Sequence, residues 1–122
     1  MKKVLVIDDE QDIVEVIRFA LQEEGFETAF ALDGAAGLKK VEEFRPGVII
    51  LDIIMEKMDG VTFVKRLKKD IPVIVISACD SKTRERVEKE IKVNNWLEKP
   101  FEIKTLLDEV KRQLNGAAGL LR

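Results

Sequence analysis

Five short apolar runs recur along the 122-residue chain at nearly even spacing, and this regularity limits the possible folds more than any other feature. Their first residues lie 23, 22, 25 and 22 positions apart. Most of the runs are rich in valine and isoleucine, which is typical of strands buried on both faces of a parallel sheet. The five runs comprise residues 3–7, 26–31, 48–51, 73–76 and 95–97.

Segments with helical spacing of apolar residues fill the intervals between these runs. The first segment ends at Gly25, a residue favoured after a helix C-terminus, and the second ends at Pro46. Five repeats of strand and helix predict one domain over residues 1–122, with a five-stranded parallel sheet between two layers of helices. Gly116 and Gly119 follow the last helical segment, so we expect residues 115–122 to form a frayed tail.

The composition excludes several classes of function. The chain has no histidine, which rules out histidine-ligated zinc and serine–histidine–aspartate hydrolysis. A single cysteine cannot form an internal disulfide, which favours a reducing, cytoplasmic location. The net charge of −2 argues against direct binding to nucleic acid or to an anionic membrane surface. No apolar run approaches the ~20 residues that span a bilayer.

The informative polar residues follow the ends of four predicted strands. Asp8 and Asp9 follow the first strand, Asp52 the third, Ser77 the fourth and Lys99 the fifth. Ligands of open α/β sheets bind outside the carboxyl ends of the strands, at the point where the strand order reverses. With the strand order 2-1-3-4-5, the first and third strands are neighbours across that point, so we expect these side chains to converge.

Each of these residues also has a simpler explanation. Asp8 and Asp9 precede a helix and are candidates for its N-cap, and Ser77 is a candidate cap for the fourth helix. Asp52 is explained equally well as a loop acid, and Lys99 as a solvated surface charge. These separate explanations become improbable only when the residues are taken together, because the acids, the hydroxyl and the lysine fall at four strand ends of one sheet.

The chemistry of such a cluster points to phosphate and a hard cation. Crowded carboxylates repel one another and need a cation, and oxygen ligands favour magnesium or calcium over zinc or copper. A site with few carboxylates and open water positions suits Mg²⁺ beside a phosphate. A lysine neutralises a phosphoryl oxygen, a serine hydroxyl donates to another, and a carboxylate can itself accept the phosphoryl group. The reaction is then an in-line transfer that needs little acid or base catalysis.

Five motifs, in this order and at this spacing, resemble the receiver domain of two-component response regulators over essentially the whole chain. The resemblance implies the flavodoxin-like, doubly wound fold with strand order 2-1-3-4-5. The matching segments are Val6-Ile7-Asp8-Asp9-Glu10, Ile50-Leu51-Asp52-Ile53-Ile54-Met55, Met58-Asp59-Gly60, Ile76-Ser77-Ala78 and Leu97-Glu98-Lys99-Pro100-Phe101.

The resemblance also implies roles for individual residues. Asp52 would accept a phosphoryl group from the phosphohistidine of a sensor histidine kinase, Ser77 would contact that group, and Lys99 would pair with it. The peptide bond between Lys99 and Pro100 is expected to be cis, which an X–Pro bond allows sterically. The protein would then be a signalling switch that assists its own phosphorylation and slow dephosphorylation, and not an enzyme acting on a separate substrate.

A magnesium site is implied by the same resemblance. Asp9, Asp52 and the main-chain carbonyl of Ile54 would bind Mg²⁺, and Asp8 would assist through water. Trp96 occupies the position of the family's aromatic switch residue. Because an indole is larger than a phenol, we expect Trp96 to stay largely outward, on the side of the fourth helix.

The first helix is the expected docking site of the kinase. Its apolar positions cover an arc of about 160°, wider than the ~100° stripe that a surface helix needs. One edge of this arc should therefore be exposed beside the site, and we nominate Ile13 and Val14. No effector sequence follows residue 122, so we expect a stand-alone receiver that acts on an unidentified downstream protein, with a receiver separated from its effector domain as the alternative.

Two other functions remain open from the residues alone. A metal-dependent phosphatase or nuclease would use the same acids, although the chain lacks the Asp-x-Asp motif of a nucleophile and an acid. A receiver-like interaction module that is never phosphorylated would not need the full set of acids, hydroxyl and lysine.

Overall fold

The computed structural model describes residues 2–55 and 58–120 and contains a five-stranded parallel sheet. The strand order is β2-β1-β3-β4-β5, which confirms the predicted topology. Each strand matches a predicted apolar run to within one residue at either end. The strands are β1 (Lys3–Ile7), β2 (Glu27–Ala31), β3 (Val48–Asp52), β4 (Val73–Ser77) and β5 (Asn95–Glu98).

In the described ranges, five helices connect or follow these strands, as the spacing predicted. The last helix extends further than the apolar spacing indicated, because its backbone is helical through Leu120. Leu121 and Arg122 lie outside the described residues, and fraying of the final turns stays a prediction. The helices are α1 (Gln11–Glu23), α2 (Gly34–Phe44), α3 (Gly60–Arg66), α4 (Ser81–Glu90) and α5 (Ile103–Leu120).

The core has two layers because successive strand residues point to opposite faces of the sheet. On one face, Leu5 and Ile7 of β1 belong to a buried cluster that α2, α3 and α4 cover, with Phe63 as its largest completely buried side chain. On the other face, Val4 and Val6 belong to a second cluster covered by α1 and α5. This sandwich holds the carboxyl ends of β1, β3, β4 and β5 at one edge.

Helix α1 presents a different edge to solvent from the one predicted. Val14 is only 1% exposed and packs into the core, so its nomination as a docking residue is wrong. Val14 lies on the same helical face as Ile17 and Leu21, and this face packs against the sheet and α5. The exposed apolar side chains are Val16 and Phe19, on the opposite side of the helix. Within the described part of the chain, no helix combines the length and apolar character needed to cross a bilayer.

Candidate functional site

Most of the predicted polar residues meet at the carboxyl edge of the sheet. Asp8 and Ser77 are completely buried, Asp52 is 5% exposed, and the Lys99 side chain is 13% exposed. Residues Ile7 and Leu51 are paired in register, which brings the residues after β1 and β3 side by side. The predicted convergence is therefore confirmed for the side chains of Asp8, Asp52 and Lys99, and Ser77 lies at the neighbouring strand end.

Lys99 joins the acids into one cluster. Its Nζ lies 2.9 Å from Oδ2 of Asp8, 3.5 Å from Oδ2 of Asp52 and 3.3 Å from Oε1 of Glu10. Among the described residues, no other cation lies within 4 Å of Asp8 or Asp52. A single ammonium group therefore faces three carboxylates, two of them buried.

Backbone amides hold the two buried carboxylates in place. Oδ1 of Asp8 accepts a hydrogen bond of 2.9 Å from the N–H of Glu10, and Oδ1 of Asp52 accepts one of 3.2 Å from the N–H of Ile54. These local bonds fix each side chain against its own loop and leave Oδ2 of both residues directed toward Lys99. In Asp52, the N–H of Ile54 thus positions Oδ1, and the charge of Lys99 attracts Oδ2.

The simpler N-cap explanation fails for the acids after β1 and for the serine after β4. Glu10 is the residue at the N-cap of α1, and its side chain makes no capping hydrogen bond. Asp80 caps α4 by accepting a hydrogen bond of 2.8 Å from the N–H of Thr83. Asp8, Asp9 and Ser77 are therefore not helix caps.

Burial and charge both disturb the ionisation of Asp52. Burial is the larger cause, and with the neighbouring charge of Asp8 it raises the pKa of Asp52 from 3.8 to about 6. Lys99 and the N–H of Ile54 act in the opposite direction and limit the rise. Burial lowers the pKa of Lys99, but its contacts with Asp8, Asp52 and Glu10 outweigh that effect and raise it above its usual value. At neutral pH the cluster therefore holds an ionised Asp52 beside a protonated Lys99.

A group of three acids is arranged closely enough to share a cation. One oxygen from each of Asp8, Glu10 and Asp52 lies within 4.8 Å of the other two. Glu10 was missed at the level of sequence, although it directly follows the two aspartates in the motif. Asp9, by contrast, is exposed and does not belong to this group.

Ser77 lies beside the cluster with its hydroxyl turned to its own loop. The Oγ atom accepts a hydrogen bond of 3.3 Å from the N–H of Cys79, and the main-chain carbonyl of Ser77 accepts one of 2.9 Å from the N–H of Lys99. The latter bond ties the end of β5 to the end of β4. The peptide bond between Lys99 and Pro100 is cis, as predicted.

The turn between β3 and α3 requires glycine for steric reasons. A Cβ atom on Gly60 would lie 2.6 Å from the Cα of Ile53, the residue that follows Asp52. The N–H of Gly60 donates a 2.9 Å hydrogen bond to the carbonyl of Ile53, and Asp59 caps α3. The start of α3 is therefore packed directly against the loop that carries Asp52.

Trp96 differs from its prediction. It lies on the α4 side of the sheet as expected, but it is only 6% exposed, so the outward position is wrong. Val87 and Ile91 belong to the same buried cluster, and the guanidinium of Arg84 lies 5.1 Å from the centre of the indole ring. The indole is therefore held inside by its apolar neighbours and by the cation–π contact, although its size had led us to expect an outward position.

Comparisons with known proteins agree with this geometry. A family model described as response regulator receiver domain matches residues 4–111. The transcriptional regulatory protein PrrA of Mycobacterium tuberculosis is 39% identical over 115 residues, which are 92% of this chain and 49% of PrrA. The alkaline phosphatase synthesis transcriptional regulatory protein PhoP of Bacillus subtilis is 32% identical over 113 residues, 90% of this chain and 47% of PhoP.

Solved structures extend the likeness to the whole fold. The chemotaxis protein CheY4 of Vibrio cholerae superposes with a TM-score of 0.84 at 34% identity, over 92% of this chain and 98% of CheY4. The chain spans about half the length of the curated relatives it matches, and almost all of this structural neighbour. With the parallel 2-1-3-4-5 sheet and the cluster at its carboxyl edge, the chain belongs to the response regulator receiver domains, the signalling switches of two-component systems.

Proposed function

We propose that Asp52 accepts a phosphoryl group from the phosphohistidine of a sensor histidine kinase, and that the resulting aspartyl phosphate alters partner binding. The observation that carries this proposal is the buried Asp52 carboxylate, 3.5 Å from Lys99 and held by the N–H of Ile54. A carboxylate with a pKa of about 6 is ionised at neutral pH and is available as a nucleophile.

The residues of this chain divide the work of transfer among them. An oxygen of Asp52 attacks phosphorus while the bond to the kinase histidine breaks, and Lys99 neutralises the phosphoryl oxygens. The Ser77 hydroxyl then turns from the N–H of Cys79 to donate to one of these oxygens, which is the local start of the conformational switch. Mixing the protein with phosphoramidate should increase its mass by one phosphoryl group in the presence of Mg²⁺, and an unchanged mass would contradict the proposal.

The donor set fits Mg²⁺. Carboxylate oxygens are hard ligands, and the close grouping of Asp8 and Asp52 leaves more negative charge than Lys99 alone neutralises. We propose the magnesium site that the family resemblance implies, with Asp9, Asp52 and the main-chain carbonyl of Ile54 as ligands and Asp8 assisting through water. Glu10, 3.3 Å from Lys99, is then a neighbour that pairs with the lysine. When bound, the ion would neutralise charge on the phosphoryl group and orient it for attack.

Magnesium should stabilise the folded protein through this site. At ~100 times its dissociation constant, a ligand specific for the folded state adds roughly 2.7 kcal/mol to the free energy of unfolding. We therefore expect 10 mM Mg²⁺ to raise the melting temperature of the wild type, and Asp9→Asn to lose most of this increase. Glu10→Gln is the matched control and should keep it. Equal stabilisation of Asp9→Asn and the wild type would remove Asp9 from the site.

A groove beside the cluster supports docking of the kinase on α1. Its volume is about 580 Å³, and its lining combines Ile13 and Val16 of α1 with Phe101 and Ile103 near the start of α5. Lys99 also lines it, so a partner seated here reaches the reacting atoms. We retain Ile13 as a docking residue and replace Val14 by Val16, whose side chain is 55% exposed.

Charge placed in this groove should slow transfer from the kinase and leave the chemistry intact. Val16→Lys should reduce the rate of transfer from a phosphorylated kinase roughly tenfold, equivalent to about 1.4 kcal/mol. The rate with phosphoramidate, which needs no docking surface, should stay within twofold. Ala35→Lys, an exposed position on α2, serves as the control. A kinase rate for Val16→Lys equal to that of the control would contradict docking on α1.

We further propose that the aspartyl phosphate is lost slowly. Ile54 and Cys79 lie two residues beyond Asp52 and Ser77, and neither side chain can orient a water molecule as a carboxylate or amide can. The domain would act in the cytoplasm on an unidentified downstream protein.

A further inference from the structure

A second groove lies between α2 and α3, away from the carboxylate cluster. Helices in a parallel sheet begin at the carboxyl edge and run back toward the opposite edge. The groove is lined by the C-terminal half of α2 and by residues 65–68 at the end of α3, so it faces that opposite edge. Its volume is about 560 Å³. Occupation of this groove would therefore leave Asp52 and Lys99 accessible.

The floor of the groove is apolar and recessed. Val41 is buried in the core, and Leu38 and Leu67 are half-buried against the same cluster. These side chains can contact an inserted apolar group, but they do not protrude from the surface. The floor thus suits a partner that brings its own protruding side chains.

The rim of the groove is cationic. Lys65, Arg66 and Lys68 line it and are exposed, and Glu42 is the one acid in its lining. Lys65 pairs with Glu90 at 3.1 Å, but neither Arg66 nor Lys68 lies within 4 Å of an acid of the described residues. Because the whole chain carries a net charge of −2, this positive rim is a local concentration of charge.

A favourable interaction with the dipole of α3 explains only some of the cationic residues on the rim. Lys65 and Arg66 lie in the last turn of α3, where cations are favourable. Lys68 lies beyond the end of the helix and contributes a third cation on the same rim. Because Arg66 and Lys68 have no acidic partner within 4 Å among the described residues, both can pair with anions from another molecule.

We propose that this groove binds an acidic amphipathic segment of a partner protein. An apolar side chain of the segment would occupy the floor formed by Leu38 and Leu67, while its carboxylates pair with Arg66 and Lys68. Nucleic acid would gain nothing from the apolar floor, and a membrane would require protruding apolar residues. The site is separate from Asp52, so it provides attachment to a partner in both phosphorylation states.

A titration followed by amide chemical shifts of the full chain tests this surface. The probe is a synthetic 12-residue peptide with two leucines spaced four apart among glutamates. We expect saturable shifts at residues 38–42 and 65–68, and an affinity that falls at least fivefold between 50 and 300 mM NaCl. Peptides with serine for leucine, or glutamine for glutamate, should each bind at least fivefold more weakly.

Charge reversal on the protein separates the groove from general electrostatics. Arg66→Glu with Lys68→Glu should weaken peptide binding at least tenfold, whereas Lys82→Glu with Lys104→Glu, an equal change of charge on α4 and α5, should alter it less than twofold. Asp52→Asn should bind like the wild type. Equal weakening by both double variants, shifts outside the groove, or tighter binding of single-stranded DNA or phosphatidylglycerol vesicles at these residues would overturn the proposal.

Discussion

Replacing Lys99 by methionine will lower the free energy of unfolding by about 3 kcal/mol in metal-free buffer at pH 7.5. The reason is the isolation of two buried carboxylates, because Lys99 is the one cation of the described residues in contact with Asp8 and Asp52. Methionine keeps most of the volume of the lysine stem, so the loss arises from charge and not from a cavity. Urea denaturation of the two proteins in EDTA measures the effect.

The control for this experiment is an exposed lysine in an ordinary surface pair. Lys104 lies 3.0 Å from Asp108 with a side chain that is 83% exposed, and Lys104→Met should cost less than about 0.5 kcal/mol. The decrease in the free energy of unfolding caused by Lys99→Met should also become smaller as the pH falls toward 5, because Asp52 then takes up a proton. If Lys99→Met lowered the free energy of unfolding no more than Lys104→Met does, the claim that Lys99 stabilises the buried carboxylates would be wrong.

Asp52→Asn will have the opposite effect and raise the free energy of unfolding by about 2 kcal/mol at pH 7.5 without metal. In the folded wild type, burial and then Asp8 raise the pKa of Asp52 from 3.8 to about 6. A carboxyl group with a raised pKa contributes its full stabilisation of the folded state at pH values below its pKa in the unfolded chain, 3.8. This contribution is lost as the pH rises through the folded-state pKa of about 6. The neutral amide does not bear the cost of ionisation, so its advantage grows as the pH rises from 3.8 to about 6 and is complete above that range.

The pH dependence distinguishes this explanation from a general gain in packing. The difference between Asp52→Asn and the wild type should vanish near pH 4 and reach its full value above pH 7. Asp70→Asn, at an exposed loop position, should follow the wild type at every pH. Added Mg²⁺ should reduce or reverse the advantage, since the amide is a poorer metal ligand. A difference that is constant from pH 4 to 8 would exclude the raised pKa as its cause.

The architecture was predictable from the sequence because the parallel sheet is buried on both faces. Strands such as Val48–Asp52 and Val73–Ser77 must then be almost wholly apolar, and their polar neighbours mark the strand ends. The convergence of Asp8, Asp52 and Lys99 follows from that topology alone.

The contacts of individual side chains were less predictable, because they depend on how the elements pack in three dimensions. The spacing of residues along the sequence does not specify this packing. Val14 and Val16 both belong to the apolar arc of α1, and the packing of the helix against the sheet and α5 decides that Val14 is the buried one. Trp96 is buried because Arg84 and Val87 pack around it from another helix. Glu10 was overlooked because it lies in the loop after β1, where the conformation of the loop and not the sheet topology brings its side chain within 3.3 Å of Lys99.

The most direct test of the central proposal is the position of the phosphoryl group. After reaction with phosphoramidate and Mg²⁺, borohydride reduction converts an aspartyl phosphate to homoserine, which peptide mass spectrometry locates. We predict that position 52 alone carries the change and that Mg²⁺ is required. Modification at Asp8 or Asp9, or an equal extent of modification in Asp52→Asn, would contradict the assignment of Asp52 as the acceptor.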